Sequence, residues 1–276
     1  MIYRLSATLA AVLLAAFPAQ AQEVPKPFTV NGSAAIVSDY RFRGVSQSDS
    51  KFAAQAGITV THESGFYVGT WGSNLAGWGQ FGGANLELDA IGGFKKTFGG
   101  TTVDVGLTWY MYPAGASETD FAEPYVKVSR TLGPVSALVG VAYAPPQQAL
   151  GRWYFTGADS VAGVYNDPGD KEDNLYLWAD ASAGVPGTGL TVKGHLGYSH
   201  GNRGLGPNGT SVTPTGEYFD WLLGADYVLG PVTLGVAYVD TDITRKESAY
   251  LLPNFATTKG KSIANGKAVF SITAAF

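Results

Sequence analysis

Val103-Asp104-Val105-Gly106-Leu107-Thr108-Trp109-Tyr110-Met111-Tyr112 alternates without a break. Val103, Val105, Leu107, Trp109 and Met111 fall on one side, and Asp104, Gly106, Thr108, Tyr110 and Tyr112 on the other. A helix would scatter these two sets around its axis, whereas a strand sorts them onto opposite faces. The pattern repeats on both sides of this stretch. Leu86, Leu88 and Ala90 alternate with Glu87 and Asp89; Leu190, Val192, Leu196 and Tyr198 oppose Thr191, Lys193, His195 and Ser199. Further on, Phe219, Trp221, Leu223, Ala225 and Tyr227 oppose Tyr218, Asp220, Gly224 and Asp226.

Extended along the chain, this reading predicts twelve strands at 29–43, 52–63, 66–74, 82–96, 101–112, 122–131, 134–144, 173–185, 189–200, 217–229, 231–241 and 263–276. Most are near the 9–11 residues that a tilted strand needs to cross a bilayer. The connections alternate short and long. The short ones, such as Phe98-Gly99-Gly100 and Leu132-Gly133-Pro134, carry the Gly or Pro of a tight reversal. The long ones lie near 44–51, 75–81, 113–121, 145–172, 201–216 and 242–262. Short periplasmic turns and long outer loops are the signature of an outer-membrane barrel. The expected fold is therefore an all-β, transmembrane, antiparallel up-and-down barrel of about twelve strands. Tyr40, Phe42, Trp109, Phe219 and Trp221 are expected on outward faces near the outer rim, and Phe94, Tyr227 and Phe276 near the inner one.

Composition agrees with an exported membrane chain. Of 276 residues 45% are hydrophobic, only 14% are charged, and there is no cysteine. Arg4, the apolar run from Leu5 to Phe17 and the small-x-small Ala19-Gln20-Ala21 read as a cleaved signal peptide at 1–21, with a single barrel domain at 22–276. The mature chain then holds 17 basic and 22 acidic residues, with no basic cluster, so nucleic acid is not an expected partner. The alternating final strand ending on Phe276 suits an assembly signal read by barrel-assembly machinery.

Three blocks resemble a known family. Ser38-Asp39-Tyr40-Arg41-Phe42-Arg43-Gly44-Val45-Ser46-Gln47-Ser48 resembles the opening signature of the TorF-type porins. Gly65-Phe66-Tyr67-Val68-Gly69-Thr70-Trp71-Gly72-Ser73-Asn74 resembles their second block. Leu107-Thr108-Trp109-Tyr110-Met111-Tyr112-Pro113 with Glu123-Pro124-Tyr125-Val126 resembles the third. The match is good over 30–130 and looser beyond. The resemblance implies an outer-membrane barrel and a porin role, and no particular substrate.

The candidate pore-lining residues are Asp39, Arg41, Arg43, Glu87, Asp89, Asp104, Lys127, Asp180, Lys193 and Asp226. If Tyr40 and Phe42 face lipid, Asp39, Arg41 and Arg43 meet the lumen near its outer mouth. There they form either a charged constriction or an internal salt-bridge network. The inward charges balance too closely to choose cation or anion preference. They do argue against a hydrophobic ligand pocket. Neither cofactor nor metal is implied. The acidic turn Asp167-Pro168-Gly169-Asp170-Lys171-Glu172-Asp173 reads as a solvated loop tip rather than a calcium loop. Trp153-Tyr154-Phe155 could fold inward as a plug or meet lipopolysaccharide. Three functions stay open: a passive channel for small hydrophilic solutes, a non-conducting structural or surface-interaction barrel, and a lipid-modifying enzyme. Only His200, outward at the outer rim, speaks for the last, and it lacks a serine partner on its own strand. Outer-membrane lipid and lipopolysaccharide are the expected surroundings.

Overall fold

The computed structural model describes residues 27–276, so the expected signal peptide lies outside the described residues. Twelve strands form one closed sheet. They are β1 Phe28–Val37, β2 Ala53–His62, β3 Phe66–Asn74, β4 Leu86–Phe98, β5 Thr101–Met111 and β6 Phe121–Leu132. The second half holds β7 Val135–Gln147, β8 Glu172–Gly184, β9 Leu190–Arg203, β10 Thr215–Leu229, β11 Val232–Thr241 and β12 Lys267–Ala275. Each strand is antiparallel to its sequence neighbour, and β1 closes the ring against β12, with Ala34 opposite Ala274 and Ile36 opposite Ile272. Closure leaves no sheet edge, so the ladder satisfies the backbone internally.

The outward face explains what surrounds the barrel. Val68 is 64% exposed, Leu223 71% and Phe270 59%, and every one of the twelve strands carries at least one exposed large apolar side chain. A water-soluble surface does not carry so continuous an apolar band; it belongs in hydrocarbon. Trp109 and Phe219 stand exposed towards the loop end, Tyr227 and Phe276 towards the turn end, as interfacial anchoring requires. Phe276 exchanges both backbone hydrogen bonds with Gly32 of β1, at 2.8 and 2.9 Å.

Most strand limits fall within a few residues of the sequence reading. The strand at 82–96 starts later, at Leu86, because Gly77–Gly79 and Phe81–Gly83 form 3-10 turns. The last begins at Lys267 rather than 263. The first strand departs most: it ends at Val37, not at 43. Val37 pairs with Ala53, the first residue of β2, and beyond Ser38, whose N–H still donates to the Phe270 carbonyl of β12 at 2.9 Å, the chain leaves the wall. Tyr40 and Phe42 therefore do not face lipid; Tyr40 is buried and Phe42 half-buried inside the barrel. The ten residues of β1 already suffice to cross, and the rings find aromatic partners within. Tyr40 packs edge-on to Trp71 at 5.4 Å, and Phe42 to Tyr110 at 5.8 Å.

The loop end is capped by a second core. Val45, Trp78, Tyr154, Leu205, Ile243, Leu251, Phe255 and Ile263 come from five connections and bury one another, with Leu205, Leu251 and Ile263 wholly inaccessible. Tyr154 and Leu205 pair through reciprocal backbone bonds of 2.9 Å. Of the aromatic triplet in that loop, Tyr154 turns into the cap and Phe155 stays 41% exposed.

Candidate functional site

The segment between β1 and β2 folds into the barrel as a small hairpin. Arg41 pairs with Ser46 and Phe42 with Val45. The connecting residues Arg43 and Gly44 both have positive φ, 46° and 79°, the signature of a two-residue I′ turn. Positive φ is uncommon for a residue with a side chain, and the contacts of Arg43 hold it there. Its Nη2 lies 2.7 and 2.8 Å from the two carboxylate oxygens of Glu123 on β6, and its Nη1 donates to Asn174 Oδ1 on β8 at 2.7 Å. The guanidinium also lies 4.1 Å over the Tyr176 ring. The pair is nearly dry, with the two side chains 5% and 4% exposed. The hairpin tip is thus bolted to the opposite wall.

The base of the hairpin is held as firmly. Asp39 accepts from Ser46 Oγ at 2.6 Å and from Arg41 Nε at 3.0 Å, with Lys267 Nζ 3.6 Å away. Arg41 also donates to the carbonyls of Gly44 and Asn265. Tyr40 donates its hydroxyl to Glu87, at 3.0 and 3.1 Å from the two oxygens. Above the tip, the gap bounded by Phe42, Val45, Trp78, Phe81 and Val212 amounts to only about 10 Å³, barely room for one water.

Below the hairpin lies a cavity of about 590 Å³. Charged pairs line or flank it: Lys127 with Asp104 at 3.2 Å and Lys193 with Asp226 at 2.7 Å. His195 bridges Asp180 at 2.6 Å and Asp220 at 3.2 Å, and meets the Tyr176 hydroxyl at 2.8 Å. Solvent exposure rises towards the turn end. The Asp39, Glu123 and Asp220 side chains are 0–4% exposed, but Lys127, Lys193 and Asp180 are 29%, 34% and 42% exposed. The hairpin and the cap crowd the lumen at the loop end, and exposure grows towards the turns.

The structure places all ten sequence-picked lumen residues inside the barrel. It splits them, however, between three places. Asp39, Arg41 and Arg43 belong to the hairpin, not to a wall strand. Glu87 and Asp89 lie buried behind it. The other five flank the wetter half. Glu123, the residue that receives Arg43, follows from the period of β6 but not its role. Trp71, Tyr125, Tyr176 and Trp178 also line the cavity. Counting back by two from Asp180, or on from Glu123, reaches three of them; attention to charge alone passes over them. His200 sits at the rim with its ring 6.5 Å from Tyr198 and 3.9 Å from Glu217, while Ser199 is fully buried on the opposite face.

One loop contact titrates. Asp49 accepts from the Thr258 N–H at 2.7 Å and its hydroxyl at 2.6 Å, and pairs with Lys51 at 2.7 Å. Burial pushes this carboxyl up, but the hydrogen bonds from Lys51 and Thr258 outweigh it and hold it below its ordinary value. A depressed carboxyl stabilises the folded loop above its unfolded pKa, about 3.9, and loses that contribution as pH falls through the folded value. Protease resistance of the 242–266 loop should therefore be flat above roughly pH 5 and fall below roughly pH 4. Asp49→Asn should remove most of that dependence; an unchanged profile would mean the contact does not hold the loop.

The chain matches the family described as "Bacterial protein of unknown function (Gcw_chp)" over residues 21–276, and it belongs to that family. No curated protein matches it in sequence. Among solved structures it is similar in fold to a porin refined at 1.8 Å, with 10% identity, 90% of this chain and 100% of that one covered, and a TM-score of 0.43. The COG4313 outer membrane channel from Pseudomonas putida F1 gives 9%, 94%, 99% and 0.43. Salmonella typhi OmpF in complex with daunomycin gives 10%, 90%, 97% and 0.41.

Proposed function

We propose that this member of the Gcw_chp family is a porin-like channel of the outer membrane, TorF-type in its first three blocks, whose infolded hairpin closes it at rest. With loops outward, the wet end of the lumen opens to the periplasm. The cargo class is small hydrophilic solutes, because a polar, ion-paired lumen discourages apolar ones. The observation that carries this reading is the hairpin itself. A barrel built only as a wall has no need of a positive-φ turn seated across its lumen by Arg43 at the tip and by Asp39 and Tyr40 at the base. The hairpin has wall on neither side, so it can leave without breaking the ladder.

Planar-bilayer recording tests this. The wild type should open rarely. Deleting 40–50 and bridging with glycines should raise mean conductance, on the order of tenfold, since a twelve-stranded barrel without its plug has space for water. The cap of loops, with Leu205, Leu251 and Ile263 inaccessible, favours a second reading, a non-conducting structural barrel. A folded deletion variant that stays silent would select it.

A further inference from the structure

The cavity beneath the hairpin combines two features that a mere water path does not need. Its charges are already spent. Arg43 meets Glu123, Lys127 meets Asp104, and Lys193 meets Asp226. Arg41 and His195 have their carboxylates as well. His195 has two carboxylates and Asp39 a second cation in Lys267, so basic and acidic groups balance across the cavity as a whole, and they keep unused lone pairs and N–H bonds at the wetter side, where Lys193 and Asp226 are 34% and 27% exposed.

The second feature is aromatic. Trp178 lies flat on the lumen wall over Gly140, its partner on β7: a Cβ there would fall 2.3–2.5 Å from three atoms of the indole. Only glycine lets the ring lie down. Tyr176 packs beside it, its ring within 20° of the indole plane and 5.4 Å away between centroids, but the Arg43 guanidinium 4.1 Å over that ring takes its face and leaves the indole as the platform. Trp71 lines the same cavity and likewise crosses a glycine, Gly57. The indole of Trp178 is half-buried, with one face on the wall and the other left towards the cavity.

We infer that this cavity is a binding site for a neutral saccharide of one or two rings, entering from the turn end. A sugar ring offers an apolar C–H face to an aromatic platform and hydroxyls at its rim. Paired carboxylates and ammonium groups can bond hydroxyls without a net charge on the ligand. The volume of about 590 Å³ lies within the usual range for small-ligand sites. The assignment deepens the channel reading by naming its cargo, but the binding event itself does not require conduction.

The test uses the full mature protein refolded in a polyoxyethylene detergent, which has no sugar headgroup. Glucose and maltose, titrated against intrinsic fluorescence and by calorimetry, should give a saturable response. Glucuronate and glucosamine, of similar size but charged, should bind at least about fivefold more weakly, since each would leave one charge unpaired. Trp178→Ala should weaken maltose binding about tenfold, and Trp178→Phe less than about threefold, because a phenyl face still stacks. Heat-modifiable migration confirms that both variants are folded. Absence of saturation by either sugar, equal binding of the charged probes, or full affinity in folded Trp178→Ala would each overturn the site. A channel that conducts without binding sugar loses only this inference; a silent barrel that binds sugar keeps it and loses the channel.

Discussion

Glu123→Ala is expected to unseat the hairpin while leaving the barrel closed. The substitution strands the Arg43 guanidinium in a place where its side chain is 5% exposed, with Asn174 as its remaining hydrogen-bond partner. Removing one partner of a buried pair costs about 3–5 kcal/mol. The hairpin carries that loss, because the β6 ladder to β5 and β7 does not depend on the Glu123 side chain. Two measurements follow it: frequent channel openings in planar bilayers, and trypsin cleavage after Arg43 in protein that still migrates as folded. Arg43→Met combined with Glu123→Leu should recover much of the seating, since no charge is then left buried. If Glu123→Ala neither opens the channel nor exposes Arg43 to trypsin, the hairpin is held by the Asp39 and Tyr40 contacts instead.

Leu223→Arg should destabilise the whole barrel. Leu223 lies near the middle of β10, is 71% exposed on the outer face, and sits opposite Gly194 and Tyr238. An arginine at mid-depth on the lipid side costs about 2–4 kcal/mol. Urea titrations of folding into phospholipid vesicles should show a lower midpoint with an unchanged slope. Its neighbour Leu222 points into the lumen cavity, where an arginine can reach water, so Leu222→Arg should cost clearly less. Equal costs at the two positions would mean that the inside and outside of β10 have been exchanged.

The barrel was legible because its instructions are local. In a strand that divides lipid from water, period two is imposed residue by residue, and 101–112 states it without any distant partner. The alternation of short and long connections follows equally from chain order. So does the placement of Glu87, Asp104, Lys127 and Lys193 on the lumen side. The first strand misled for a physical reason. Ser38 to Arg43 alternates as well as any strand, and nothing local marks the point at which the wall stops. That point is set by the register of Val37 against Ala53, which depends on the partner strand. Once the segment leaves the wall, its side chains answer to residues far along the chain: Arg43 to Glu123 and Asn174, 80 and 131 positions away. The flat seat of Trp178 over Gly140 likewise exists only through the pairing of β7 with β8. The sequence by itself determined a lipid-facing outside and a charged inside, because alternation needs only neighbours. Tertiary structure alone decided that the inside is crowded at one end by an infolded hairpin and shaped as a pocket at the other, because both depend on register and on loops meeting across the lumen.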